Sequence, residues 1–193
     1  MDLITARILQ ELPRTGIVML TYIFNATLCL NHIPRQWKTA KVIMLLKPGK
    51  ALEEPKSYRP ILLLPVITKL YEKLFIKRLR PVIEELGILP DYQFGFRPEH
   101  SIVEQMHRVA HTIRTALEKK QFYPEIFLDV SQAFVRVWIE NLLHKVSQYL
   151  PAKYTWLLQL YRTDRTFCIQ HGEAILAKYS IRAGVPQGSM LGP

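Results

Sequence analysis

A single acid at the end of an apolar run is the residue best placed to do chemistry. Residues 126–128 are apolar, as in a buried strand that ends at Asp129. Leaving that carboxylate ionised beside a core strand costs roughly several kcal/mol unless a cation or a hydrogen-bond donor compensates it. A metal ion could do so. So could the N-terminus of a helix beginning near Phe134 or Trp138, since Asp is common at helix N-caps. This stretch alone supports the two interpretations equally.

Two basic residues are candidates for binding phosphate. Residues 40–46 are predicted to form a strand, and Lys47 follows it at a Pro-Gly turn, where a lysine can reach a phosphate as a mobile point charge. A solvated turn lysine is the ordinary alternative. Arg59 lies in a short extended segment, residues 57–65, and its guanidinium could bind phosphate through two parallel hydrogen bonds. A surface salt bridge is the alternative there.

Two loops have compositions suited to binding a ligand. The loop at residues 90–98 contains Gly95, Phe96 and Arg97, and aromatics interleaved with arginine suit stacking and backbone contacts to nucleic acid. Aromatic loops also fill cores. Residues 183–193 contain three glycines, which permit close backbone approach, and present Gln187 between a proline and a glycine. A plain surface loop is the alternative.

The remaining pattern predicts the elements that must hold these residues. Apolar periodicity and helix breakers predict six helices, at residues 3–12, 17–31, 66–86, 101–120, 138–150 and 152–161. Residues 165–170 and 175–181 alternate around residues 171–173, which predicts a hairpin. The helix at 66–86 has one basic face and one apolar face.

Composition limits the partners. The chain has 193 residues, is 49% hydrophobic and carries a formal charge of +10, which indicates a globular protein with a polyanionic partner, nucleic acid above all. Cys29 and Cys168 lie far apart without metal-ligand spacing, which fits a reducing compartment. The longest apolar stretch, residues 17–30, is too short to span a bilayer and is predicted to be a buried helix.

A second metal site is conceivable on the helix at 101–120. His107 and His111 are four residues apart, and Glu104 precedes them by three, so all three could share one face. The pattern is not His-Glu-x-x-His, and zinc is therefore a weak alternative.

Four strings, taken together and in this order, resemble a reverse transcriptase. They are Tyr58-Arg59-Pro60-Ile61, Gln93-x-Gly95-Phe96-Arg97, Phe127-Leu128-Asp129-Val130-Ser131-Gln132-Ala133-Phe134 and Gly184-Val185-Pro186-Gln187-Gly188-Ser189-Met190-Leu191-Gly192-Pro193. The closest likeness is to the jockey-like enzymes of non-LTR retrotransposons. The residues before Lys47 also resemble the segment that precedes the fingers in that family.

The resemblance implies an α+β right-hand polymerase fold. Residues 1–193 would be a partial reverse transcriptase domain. Residues 1–46 would be N-terminal helices and a leading strand, residues 47–122 mainly fingers, and residues 123–193 the start of the palm with intervening helices. The activity implied is RNA-directed DNA synthesis, in which a primer 3′-hydroxyl attacks the α-phosphate of a dNTP on an RNA template. The setting implied is a retrotransposon ribonucleoprotein in the cytoplasm and nucleus.

The resemblance also implies roles for individual residues. Asp129 matches the first metal-binding aspartate, and the Val130 carbonyl would be a neighbouring ligand for Mg²⁺ or Mn²⁺, with two ions in the complete domain. The residues expected at the nucleotide are Lys47, Arg59, Gln132, Ala133, Phe134 and Gln187, of which Phe134 would exclude a ribose 2′-hydroxyl. Gly95, Phe96, Arg97 and Gly188 would lie along template and primer.

Two departures from the family pattern matter. Val135 stands where many relatives have aspartate, which should weaken local hydrogen bonding rather than abolish the chemistry. The sequence also stops at Pro193, before the family's aromatic-x-Asp-Asp hairpin. One carboxylate would bind Mg²⁺ weakly or not at all, so we expect this fragment by itself to be inactive.

Two functions from other classes stay open on the sequence. One is a non-catalytic nucleic-acid-binding remnant, whose affinity should fall with rising salt. The other is an interaction protein that lays the helix at 66–86 on a partner or membrane.

Overall fold

The computed structural model describes residues 4–171, 174–186 and 188–192, which form helices and one mixed sheet. The helices are α1 (Ala6–Gln10), α2 (Arg14–Cys29), α3 (Val66–Glu85), α4 (Ile102–Glu118), α5 (Ile139–Tyr149) and α6 (Ala152–Arg162). The strands are β1 (Thr39–Leu46), β2 (Tyr58–Leu63), β3 (Thr166–His171), β4 (Ala174–Ile175) and β5 (Tyr179–Ser180). Each predicted helix has a counterpart, and the α+β class is confirmed.

Strand β1 is the centre of the sheet. It pairs antiparallel with β2, with Leu45 opposite Arg59, and parallel with β3, with Thr39 opposite Thr166. The other edge of β3 pairs antiparallel with β4 and then with β5, so the predicted hairpin is confirmed and its return strand is split in two. The predicted turn residues Gly172 and Glu173 lie outside the described residues.

An aromatic cluster forms the core of the first compact unit, which comprises residues 1–82 and 132–193. The ring centroid of Trp37 lies 5.5 Å from that of Phe24 and 5.3 Å from that of Tyr71. Thr68 donates to the Trp37 carbonyl at 3.4 Å, which ties the segment before β1 to helix α3. Helix α3 is thus embedded in the core, and this argues against its use as an isolated amphipathic helix.

The prediction that residues 17–30 form a buried helix is wrong. Helix α2 buries only Phe24 and Thr27, whereas Met19, Tyr22 and Leu30 are exposed. Because residues 17–30 carry no charge, the helix can be buried. Burial also requires that another element of the fold packs against each face of the helix. Among the described residues, no helix is both long and apolar enough to cross a membrane.

The second compact unit, residues 83–131, contains helix α4. Its N-cap is Ser101. The Ser101 side chain accepts from the Glu104 N–H at 3.1 Å, and a Glu104 carboxylate oxygen accepts from the Ser101 N–H at 2.7 Å. The Glu104 carboxylate, which is the acid of the possible zinc site with His107 and His111, is therefore engaged in this capping box. Within the described ranges, no group of three or more His, Cys, Asp or Glu side chains could hold a metal ion.

The strand predicted at residues 126–128 does not form. Residues 121–130 contain neither helix nor strand, and Phe127 is 85% exposed. A strand requires a neighbour that takes its backbone hydrogen bonds, and no described residue pairs with this segment in the sheet. The prediction of a strand used the apolar composition of the segment, which does not show whether such a neighbour exists.

Substituting phenylalanine for Tyr71 is expected to make the free energy of unfolding fall less steeply with pH in the alkaline range. Burial raises the pKa of the Tyr71 phenol, and the Thr27 hydroxyl and Arg78 only partly oppose the rise. Above about pH 10 the unfolded chain therefore releases this proton while the folded chain keeps it. The free energy of unfolding then falls by up to about 1.4 kcal/mol per pH unit.

Urea unfolding of the chain at pH 8, 10 and 11 measures this slope. The exposed Tyr22 provides the control variant Tyr22→Phe, which should keep the wild-type slope. Equal slopes for Tyr71→Phe and wild type would show that the Tyr71 phenol ionises as readily in the folded chain as in the unfolded one.

Candidate functional site

The two candidate phosphate ligands lie on one face of the β1–β2 hairpin. Arg59 is directly opposite Leu45, and side chains alternate along a strand, so residue 47 falls on the same face. The ladder continues to this position because the Lys47 N–H donates to the Ser57 carbonyl at 2.8 Å. Arg59 is exposed, and its guanidinium makes no hydrogen bond or ion pair with the described residues. It is therefore available to an anion.

Lys47 is less available. Its Nζ donates to the Lys56 carbonyl at 2.6 Å and so closes the loop between β1 and β2. To reach a phosphate, this ammonium group must leave the carbonyl.

Gly188 lies against the same hairpin face. Its φ is +107°, and a Cβ added there would be 3.1 Å from the Leu62 carbonyl oxygen and 3.8 Å from Ile61 Cγ2. Ile61 is two residues after Arg59 and so shares its face. The glycine thus permits a close approach of the C-terminal loop to β2. Gln187, the preceding candidate, lies outside the described residues.

The turn that carries Gln132, Ala133 and Phe134 is tied to the same loop by its backbone. The Val185 N–H donates to the Phe134 carbonyl at 2.7 Å, and the Gly184 N–H donates to the Val137 carbonyl at 2.8 Å. Gln132 has a φ of +57°, and its carbonyl accepts from the N–H groups of residues 135 and 136. The structure therefore connects this turn through residues 184–186 to Gly188 on the hairpin.

A buried carboxylate accepts hydrogen bonds from the loop at residues 188–192. Glu72, on α3, is 0% exposed, and its Oε1 accepts hydrogen bonds from the hydroxyls of Tyr161 and Ser189. Its Oε2 accepts from the Met190 N–H at 2.9 Å. Burial raises the pKa of the Tyr161 phenol, with Arg165 opposing the rise and Glu72 adding to it. Tyr161 therefore stays protonated and remains a donor.

Two buried arginines complete this cluster. Arg162 donates from Nη2 to the Leu191 carbonyl, and the Arg165 guanidinium lies 4.6 Å from the centroid of the Tyr161 ring. Burial and, to a smaller extent, the neighbouring Arg165 charge lower the pKa of Arg162 to about 10. Side chains of α3 and α6 thus hydrogen-bond to the loop at residues 188–192.

Sequence reasoning missed this cluster, although one signal was present. Glu72 lies one turn after Thr68 and three residues before Phe75, on the face that α3 buries. An acid on the apolar face of a helix needs hydrogen-bond donors from another element. The sequence shows that need but does not identify the donors.

Asp129 and Val130 lie in the second unit, in the exposed segment without helix or strand. The helix-cap interpretation of Asp129 is wrong, because α5 begins at Ile139 and its N-cap, Trp138, makes no side-chain capping bond. Within the part of the chain that the structure describes, the Asp129 carboxylate has no hydrogen-bond partner. Carboxylate and carbonyl oxygens are ligands that Mg²⁺ prefers, so these two residues fit such an ion by chemistry. A single carboxylate would leave the ion largely hydrated.

Three of the four candidate template and primer residues, Gly95, Phe96 and Arg97, also belong to the second unit, whereas Gly188 belongs to the first. Arg97 donates from Nη1 to the Pro90 carbonyl at 3.2 Å and lies 4.0 Å from the Asp91 carboxylate. Phe96 is exposed and has a φ of +60°, and nothing lies within 4 Å of a Cβ added at Gly95. The loop therefore presents an aromatic side chain outward, while its arginine stabilises the loop itself.

Comparison with known proteins identifies the class. The family model described as reverse transcriptase (RNA-dependent DNA polymerase) matches residues 45–193, which is more than half of the chain. The chain therefore belongs to the reverse transcriptase family.

Individual relatives narrow the class further. The probable RNA-directed DNA polymerase from transposon X-element of Drosophila melanogaster is 46% identical over 192 residues, covering 100% of this chain and 21% of the relative. That from transposon BS of the same organism is 45% identical over 185 residues, covering 96% and 20%. The RNA-directed DNA polymerase from its mobile element jockey is 38% identical over 192 residues, covering 100% and 21%.

The chain thus spans about a fifth of the length of these curated relatives. The resemblance to non-LTR, jockey-like reverse transcriptases is confirmed.

Proposed function

We propose that this chain forms the part of an RNA-directed DNA polymerase that binds the incoming deoxynucleoside triphosphate. The observation that carries the proposal is a chain of contacts that links Arg59, Gly188 and the turn at residues 132–134. Gly188 lies against β2 on the face that carries Arg59, and the turn is hydrogen-bonded to residues 184 and 185 of the loop that contains Gly188. In family terms, residues 47–122 are mainly fingers and residues 123–193 begin the palm of a right-hand fold.

The charges on this face suit a triphosphate. Arg59 is exposed and unpaired among the described residues, so it can form two parallel hydrogen bonds to phosphate oxygens without first breaking an internal ion pair. Lys47 adds a mobile charge once it leaves the Lys56 carbonyl. Both residues neutralise the negative charge of the triphosphate and orient it on the hairpin.

The turn at residues 132–134 faces the sugar and phosphates in this proposal. The Gln132 and Ala133 backbone approaches the triphosphate, and the Phe134 ring excludes a ribose 2′-hydroxyl. Gln187 and Gly188 lie beside the nascent base pair, and Gly95, Phe96 and Arg97 lie along the RNA template. The DNA primer supplies the 3′-hydroxyl that attacks the α-phosphate.

The Asp129 carboxylate and the Val130 carbonyl would hold Mg²⁺. When bound, the ion would lower the charge barrier to nucleotidyl transfer. Asp129 is suited to this role because it is exposed and has no hydrogen-bond partner among the residues described.

A chimeric enzyme tests the proposal. In it, this chain replaces the matching 192 residues of the jockey polymerase. We expect it to extend a labelled DNA primer on an RNA template with dNTPs and Mg²⁺. Arg59→Ala should raise the KM for dNTP roughly tenfold, because a charge-assisted phosphate contact contributes about 1.5–3 kcal/mol.

Lys50→Ala is the matched control, since it removes an exposed cation from the loop of the same hairpin. It should leave the KM within about twofold. A chimera that unfolds cooperatively but does not extend primers would contradict the proposed function.

A further inference from the structure

Glu72 is the one acid that is both fully buried and bonded to the glycine-rich loop, among the residues described. We infer that Glu72, acting through Ser189, is a positioning residue that fixes the loop at residues 188–192 against the nucleotide. This inference rests on the proposed function, because it concerns how that site is held in place. It assigns Glu72 and Ser189 no contact with substrate.

The first step is the number of bonds that end at this carboxylate. A buried carboxylate must accept several hydrogen bonds to offset the loss of hydration. Among the described residues it has three donors, of which the Ser189 hydroxyl and the Met190 N–H belong to the loop, and the Tyr161 hydroxyl belongs to α6. Moving the loop would therefore leave Glu72 with a single donor from among these three.

Ser189 bonds in two directions. Its hydroxyl donates to Glu72 and accepts from the Leu191 N–H at 3.1 Å, while its own N–H donates to the Pro186 carbonyl at 3.1 Å. One residue thus fixes both the chain before it and the chain after it. Removal of the Ser189 hydroxyl would break the bonds to Glu72 and to the Leu191 N–H and leave only the backbone bond to Pro186.

The loop fixed in this way is the one that reaches the nucleotide face. Gly188 directly precedes Ser189 and approaches the Leu62 carbonyl on the hairpin that carries Arg59. A displaced loop would lose its contacts with the bound nucleotide, and these contacts form on binding rather than only in the transition state. The expected consequence is weaker nucleotide binding.

Tyr161 provides a matched comparison. Its hydroxyl donates to the same Oε1 of Glu72 as Ser189 does, but it projects from α6 and bonds to no loop atom through that hydroxyl. Tyr161→Phe and Ser189→Ala each delete one hydroxyl from one carboxylate oxygen. A purely structural role predicts similar effects for the two variants, whereas a positioning role predicts that they differ.

Amide hydrogen exchange on the chain itself is the first measurement, and it does not depend on polymerase activity. Ser189→Ala should speed exchange of the Leu191 and Met190 N–H groups by about tenfold, because the first loses its acceptor and the second loses a fixed loop. Tyr161→Phe should leave both within about twofold. Equal exchange in the two variants would overturn the inference.

Steady-state kinetics of the chimera are the second measurement. Ser189→Ala should raise the KM for dNTP by about tenfold with kcat nearly unchanged, and Tyr161→Phe should change neither, although both lower the melting temperature. Equal KM values would overturn the inference. If the unsubstituted chimera fails to extend primers, the proposed function is contradicted, and the exchange experiment still decides whether the Ser189 hydroxyl fixes the loop.

Discussion

Replacing Asp129 with alanine is expected to reduce primer extension by the chimera on the order of a thousandfold or more. In the proposed function, the Asp129 carboxylate is a ligand of the metal ion. Asp129 is exposed and lies in a segment without helix or strand, so its removal should change the free energy of unfolding by no more than about 0.5 kcal/mol. A large loss of activity with unchanged stability is specific to a role in the chemistry.

Primer extension over a range of Mg²⁺ concentrations measures this effect. Glu125→Ala is the matched control, because it removes an exposed acid from the same segment. It should retain wild-type extension. Asp129→Asn keeps the side chain's shape and removes its charge, and it should be as inactive as Asp129→Ala. Full activity of either Asp129 variant would remove this residue from the metal site.

Local signals predicted much of the fold. The apolar run at residues 40–46 and the Pro-Gly turn that ends it predicted β1, because both signals act within a few residues. The Ser101 capping box is likewise complete within four residues. Such elements need no knowledge of the rest of the chain.

The failures are nonlocal. Helix α2 has the composition of a buried helix, yet Tyr22 and Met19 are exposed, because burial depends on a neighbour that the sequence does not name. The apolar run before Asp129 fails as a strand for the same reason. Glu72 was missed because its donors, Tyr161 and Ser189, are 89 and 117 residues away.

The candidate site was predictable in its parts. The strings that carry Arg59, Gly188 and Phe134 are recognisable one by one, because each resembles a family motif. How they are linked depends on the approach of Gly188 to β2 and on the backbone hydrogen bonds of residues 184 and 185 to the segment that carries Phe134. Neither is encoded within any single motif.

Gly184 is where the second large effect is expected. Replacing it with alanine should lower the free energy of unfolding by about 3 kcal/mol, the sum of a positive-φ cost and a steric cost. Its φ is +85°, and a Cβ added there would be 2.7 Å from the Val135 carbonyl oxygen and 3.0 Å from that of Phe134. The Phe134 carbonyl accepts from the Val185 N–H and the Val137 carbonyl accepts from the Gly184 N–H, so the backbone that carries both oxygens is held on each side of Val135.

Alanine substitutions at two further glycines distinguish the conformational cost from the steric cost. Gly49 has a φ of +72° with nothing within 4 Å, so Gly49→Ala should show only the conformational cost of about 1 kcal/mol. Gly188→Ala should fall between the two, since its Cβ would meet one carbonyl oxygen at 3.1 Å. Urea unfolding of the three variants measures the order. Equal losses at positions 49 and 184 would show that the Phe134 turn yields to the added methyl group. The backbone would then be too loosely held to align a nucleotide, because a turn that shifts to admit a methyl group would shift under a ligand as well.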